Sequence, residues 1–266
     1  MIPNIITTNF TGSNIPLSKL KQEKDDPTSN KLQERHDRHT RLQYNSQLYR
    51  THFFPLNLYK KKASSNADAV NYLKNNFNIE ADFGNNTKLA SLVVKAFRNV
   101  NNILHGSLEN TELKIVSDYS VFKNRPKGKY PDGTVKETEP ALLITAGNKS
   151  TLCFNPDCDW DNVEQRVQDN FEKGNLAYKE PIGLVYHEIG HFLHHNSNLE
   201  KYNAANDESP YDTDKIIIEK QVSKLATKDF GELVAEVFAK KMLKHYISDE
   251  VQDLYKDWAH YGPNIF

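Results

Sequence analysis

The stretch Glu180–Asn196, EPIGLVYHEIGHFLHHN, decides the fold of this chain. Proline at 181 suits the first turn of a helix, because it has no N–H to leave unpaired and its φ is already helical. Val185, Ile189, Phe192 and Leu193 recur at helical spacing and give the segment one apolar face. Residues four apart on a helix point the same way, so His187 and His191 present two imidazoles one turn apart. Such a pair can reach one Zn2+ at about 2.0–2.1 Å each. Glu188, one step around the helix, can act as general base on a water without ligating the metal. HExxH alone arises by chance in on the order of one chain in a hundred. Here it sits in a proline-started amphipathic helix preceded by strands, the context that its chemistry needs.

A catalytic zinc keeps three protein ligands and one open position, so a third ligand must come from elsewhere. The metzincin spacing fails, since the chain has His194 and Ser197 where glycine and histidine would be required. His194 and His195 lie a further turn along, overshoot the metal, and are expected to be supporting or exposed groups. The stretch 222–243, VSKLATKDFGELVAEVFAKKML, offers Glu232 and Glu236 four apart on one face. Asp229-x-x-Glu232 also fits a capping box. The neighbours Leu233, Val234, Ala235, Val237, Phe238 and Ala239 are apolar, and a carboxylate buried among them needs a cation or a strong hydrogen-bond partner. One of the two can ligate zinc while the other orients an imidazole. The spacing alone does not say which.

HExxH followed by the VSxxA…ExxAExFA helix resembles the gluzincins of the anthrax lethal-factor type. Similar signatures occur in clostridial Pro-Pro endopeptidases and in metallopeptidase domains linked to phage or toxin proteins. The matched residues are His187, Glu188, His191, Val222, Ser223, Ala226, Glu232, Ala235, Glu236, Phe238 and Ala239, within roughly residues 140–245. The resemblance implies an α+β, zincin-like metallopeptidase domain, with a small mixed sheet over the HExxH helix and a C-terminal helix carrying the third ligand. It implies Glu232 as that ligand, with Glu236 as second choice or as a supporting group, and Glu188 as the catalytic base. It further implies that Thr151–Phe154 is the edge strand on which an extended substrate pairs. The family carries a tyrosine seven residues before its ligating glutamate; that position is Leu225 here. Tyr186, Tyr211 and Tyr261 are candidates to replace it.

The remaining sequence frames this domain. The chain has 266 residues and a formal net charge of −1, so nucleic acid is not expected as its main partner. Mean hydropathy is −0.71, polar for one compact body. No apolar run approaches the roughly 20 residues of a membrane span, and no Sec-type signal peptide is visible. Residues 1–64 read as a flexible basic segment, with 11 Lys/Arg against 5 Asp/Glu up to residue 62; residues 65–266 read as the catalytic domain. The two cysteines, Cys153 and Cys158, are expected as reduced thiols; four intervening residues and no second pair make a weak metal signal.

Helices are expected over 67–77 and from Thr87, the latter ended by Gly106, and a strand over 111–117. A loop is expected over 123–138, and a strand pair from ALLIT (141–145) and TLCF (151–154). An irregular acidic loop is expected after Asn198, and a last helix from Asp229 to Tyr246.

The uncharged Ser/Thr/Asn/Ile-rich start, the absent signal peptide and the single domain resemble in layout the type III secreted effector proteases of Gram-negative bacteria. That resemblance implies a monomeric, narrow-specificity endopeptidase delivered into a host cytosol to act on a host signalling protein, or otherwise a cytoplasmic enzyme. A catalytically idle zincin-fold binding module and a self-processing or phage-associated metallopeptidase are the alternatives.

Overall fold

The computed structural model of the protein describes residues 65–104, 108, 112–123, 139–147 and 149–259. The basic segment 1–64, residues 124–138 of the loop expected over 123–138, the Gly106 helix stop and Tyr261 lie outside the described residues; Lys123, the first residue of that expected loop, ends a helix instead.

The described chain is mixed α+β. Helix α1 spans Asn66–Phe77; the Ser65 hydroxyl caps it by accepting from the Asp68 N–H, and Ala69, Leu73 and Phe77 bury one face. Strand β1 is Glu80–Ala81. Helix α2, Thr87–Ile103, is capped by the Asn86 side chain, which accepts from the Leu89 N–H. Its buried residues include Leu89, Val93, Ala96 and Val100, the face expected from their spacing. Strand β2 is Leu113–Ser117, followed by the single-turn helix α3, Ser120–Lys123. Strands β3, Ala141–Ala146, and β4, Lys149–Phe154, form the expected antiparallel pair, with Gly147 at φ 60 in the turn between them.

The sheet order is β1-β2-β4-β3, with β1, β2 and β4 parallel and β3 antiparallel to β4. This corrects the expectation for Thr151–Phe154. Those residues lie in β4, paired on both sides, with Thr151 opposite Lys114 of β2 and Ile144 of β3. A strand whose backbone groups are bonded to two neighbours has none left for a third. Among the described residues the two edge strands are β1 and β3.

The helical half follows. Helix α4, Val163–Glu172, escapes notice in the sequence because only Val163 and Val167 of its ten residues are buried. Helix α5, Ile182–Ser197, carries HExxH and packs against α2, β3 and, most extensively, α8, Phe230–Met242. The acidic stretch after Asn198 is not irregular. It forms α6, Leu199–Asp207, capped by the Asn198 side chain on the Lys201 N–H, and α7, Asp212–Gln221. A 3-10 turn at Leu225–Thr227 leads to α8. Helix α8 stops at Met242, short of Tyr246, because Lys244 turns left-handed at φ 60 and the His245 N–H reaches back to the Lys240 carbonyl. It is not the last helix: α9, Asp249–Ala259, follows and buries Val251, Tyr255 and Ala259. No helix among the described residues is long and apolar enough to cross a membrane.

Candidate metal centre

Helices α5 and α8 meet with almost no space between them at Gly190. A methyl at that position would lie 3.1 Å from Ala235 Cα and 3.2 Å from Phe238 Cβ. Glu232 and Glu236 lie on either side of Ala235 along α8, so the close approach brings both carboxylates to the histidines. The Asp229 side chain caps α8 by accepting from the Glu232 N–H at 2.7 Å, half of the capping box that the sequence allowed. The Glu232 side chain does not reach back to complete it but turns to the imidazoles.

There, His187 Nε2 and His191 Nε2 are 3.1 Å apart, and Glu232 Oε2 lies 3.2 Å from the first and 3.6 Å from the second. Three corners of a tetrahedron built on metal–ligand bonds of about 2.0–2.1 Å are about 3.3 Å apart. The three atoms therefore stand at ligand spacing, and the group could hold a metal ion. Although it is this close to ring nitrogens, Glu232 Oε2 is buried without a hydrogen bond, and so is Glu188 Oε2. Buried carboxylate oxygens left in this way call for a cation.

Glu236 does the other job. Its Oε1 is 2.8 Å from His187 Nδ1, while Oε2 accepts from the Ala177 N–H and the Ser223 hydroxyl, each at 2.8 Å. With Nδ1 donating to Glu236, Nε2 is the ring nitrogen that His187 turns toward Glu232. Ser223 is itself fixed by accepting from the Ala226 N–H at 3.2 Å. Lys228 holds the outer oxygen of Glu232, with Nζ 2.9 Å from Oε1 and 3.1 Å from Asp229 Oδ2.

The electrostatics favour positive charge between these groups. Burial pushes the His187 pKa down, but the Glu232 and Glu236 carboxylates outweigh it and hold the value well above the ordinary range. Burial pushes Glu232 up, and His187, His191 and Lys228 bring it well below the carboxylate range. Burial raises Glu188, with the histidines offsetting part of the rise, which moves it toward the range useful to a general base.

A cleft of about 270 Å³ opens over the group. Its walls include the edge strand β3 through Ala141–Leu143, the helix α4 through Arg166 and Val167, and Leu225, the residue at the resembled family's tyrosine position. Of the three tyrosines singled out in the sequence, Tyr186 and Tyr211 are not among its lining residues. Tyr186 turns to α2, where its oxygen accepts from Asn99 Nδ2 at 2.7 Å, Tyr211 is 78% exposed ahead of α7, and Tyr261 is outside the described residues. Tyr202 of α6 and Tyr178 line the cleft instead. Tyr202 went unseen because α6 reads as a loop, and no spacing rule links it to HExxH. Burial, then the charges of Glu188 and Glu232, push the Tyr202 phenol up to about 12.

His194 and His195 are not exposed. Both are buried, and their rings meet that of Tyr202 edge-on at 5.5 and 5.1 Å. Cys153 and Cys158 are both buried and form no disulfide, as expected, and Cys158 Sγ accepts from Arg166 Nη1 at 2.8 Å. Compared with known proteins, the chain matches no family model and no curated sequence at a significant level.

Proposed function

We propose that this protein is a zinc-dependent endopeptidase of the gluzincin kind. His187, His191 and Glu232 hold the metal and Glu188 serves as base. The observation that carries the reading is the triangle of two Nε2 atoms and one carboxylate oxygen at 3.1, 3.2 and 3.6 Å, with Glu188 beside it in the same cleft. Two imidazoles and one carboxylate are a donor set that suits zinc in a catalytic site. Zinc, when bound, polarises the scissile carbonyl and acidifies a water.

The chain's own residues do the rest. Glu188 takes a proton from the attacking water as the new C–O bond forms and delivers it to the amine nitrogen as the C–N bond breaks. Glu236 keeps His187 turned with Nε2 toward Glu232, and Lys228 keeps the outer oxygen of Glu232 occupied. The edge of β3 that no described strand pairs lines the cleft through Ala141–Leu143 and can receive an extended peptide by strand addition, which supports an endopeptidase over an enzyme acting on small molecules. In this reading the natural substrate is a specific host protein met after secretion, with the basic segment 1–64 as docking arm.

The test uses the full chain, wild type and Glu188→Ala, with metal analysis and a proteome-derived peptide library. One equivalent of zinc in both proteins, with cleavage in the wild type alone, is the expected result. Zinc in both with no Glu188-dependent cleavage would make the protein a binding module. Cleavage confined to its own chain would make it self-processing, and no zinc at all would end the metallopeptidase reading.

A further inference from the structure

Resting on that reading, we infer that Ser223 is a positioning residue that acts through Glu236, and that this carboxylate joins two segments of the cleft wall to the metal ligand His187, so that metal binding and the wall stabilise each other. A ligating imidazole is held only as firmly as the group that orients it. Glu236 orients His187 with one oxygen, so whatever holds its other oxygen reaches the metal site.

The two segments are 174–178 and 222–228. The first belongs to no helix or strand, and the second contains only the 3-10 turn Leu225–Thr227. Both line the cleft, the first through Leu176 and Tyr178, the second through Leu225 and Lys228. Backbone bonds tie them together. The Lys224 N–H donates to the Gly174 carbonyl at 2.8 Å, and the Leu225 N–H to the Asn175 carbonyl at 3.4 Å. Each segment also sends a donor to the same oxygen of Glu236. The Ala177 N–H and the Ser223 hydroxyl both reach Oε2 at 2.8 Å, while Oε1 is 2.8 Å from His187 Nδ1.

Burial gives this junction its weight. Glu236 is 0% exposed and Ser223 1%. A buried carboxylate depends on its donors, and losing one costs more than the same loss at a surface. Ser223 accepts from the Ala226 N–H at 3.2 Å, which leaves its own hydrogen for Glu236. Further along the same segment, Lys228 Nζ lies 2.9 Å from Glu232 Oε1. Segment 222–228 therefore touches one ligand directly and another through Glu236. With a cation on Nε2, an imidazole is a stronger donor at Nδ1. An occupied site thus holds Glu236 more firmly, and Glu236 holds the wall. Linkage makes the effect reciprocal: the held wall raises metal affinity by the factor by which the metal favours the held wall. A peptide lying on Leu176 and Leu225 then meets a wall that the metal has helped to assemble.

The experiment uses the full chain as wild type, Ser223→Ala, Glu236→Ala and the double variant. Zinc affinity is measured by competition with a chromophoric chelator. Ser223→Ala, which touches no ligand, should weaken zinc binding about ten-fold. In the Glu236→Ala background the same substitution should cost nothing further, because its route to the metal is gone. A serine that merely supports the fold would lower stability without this pattern. In wild type, amide exchange at Ala177 and Lys224, followed by NMR, should slow on zinc loading by about the factor lost in Ser223→Ala. Zinc affinity that Ser223→Ala leaves unchanged overturns the inference, as do losses that add in the double variant. Exchange that zinc does not alter overturns it too, and that measurement needs no variant to fold. Wild type that binds no zinc fails the metal reading itself, and the inference falls with it.

Discussion

Gly190→Ala is the substitution that most directly couples the packing of this protein to its candidate metal site. The added methyl lies 3.1 Å from Ala235 Cα and 3.2 Å from Cβ and Cδ1 of Phe238. Carbon atoms prefer separations of about 3.5–4.0 Å, so α8 has to yield by a few tenths of an ångström. Overpacking of this kind costs about 1–3 kcal/mol. Alanine in a helix interior offsets about 1 kcal/mol of that through its better propensity. The metal-free protein should therefore lose about 0–2 kcal/mol.

The larger consequence is at the site. Ala235 precedes Glu236 and sits three residues after Glu232, so a displacement there reaches both carboxylates. Metal–ligand distances hold to within about 0.2 Å, and a shift of a few tenths uses up that tolerance. Zinc affinity should fall at least about ten-fold, equivalent to about 1.4 kcal/mol. Urea denaturation of the metal-stripped protein, followed by far-UV circular dichroism, measures the first quantity. Competition with a chromophoric chelator measures the second. The reasoning fails if Gly190→Ala binds zinc as tightly as wild type, or if the metal-free variant gains the full propensity increment of about 1 kcal/mol.

Two further outcomes follow from the site and its surroundings. Glu232→Ala should abolish stoichiometric zinc, whereas Glu236→Ala should keep it with affinity reduced about 10–100-fold, since it removes only the partner of His187 Nδ1; equal retention in both variants would take Glu232 out of the ligand set. His194 is fully buried, and burial lowers its pKa to about 4 against an ordinary value of 6.5. The folded state then binds fewer protons than the unfolded state between those values, so this contribution to stability is complete above pH 6.5 and falls away as pH drops toward 4. Its size is on the order of 3 kcal/mol at most. In urea titrations of metal-free protein at pH 4.5 and 7.5, His194→Leu should lose less stability on acidification than wild type does. An equal loss in both proteins would assign the acid limb to other groups.

The sequence by itself determined the helix that carries HExxH, the hairpin of β3 and β4, the buried face of α2 and the segment that brings two glutamates near the histidines. Each of these depends on local periodicity, on a cap or on a fixed spacing along one helix, and such features survive in one dimension. Which glutamate faces the imidazole nitrogens is set by how α5 crosses α8 at Gly190, a contact between residues 45 apart in the chain that leaves no local signature. Which strand forms the sheet edge depends on β2 inserting beside β4, a long-range pairing that alternation within TLCF cannot reveal. Helices α6 and α7 were hidden because a polar helix exposed on most of its surface has too few apolar residues to show a period. Tyr202 was hidden with them. The pattern of candidate metal ligands was written in the residues, whereas their arrangement around one point belongs to tertiary packing, because only packing sets distances between separate elements.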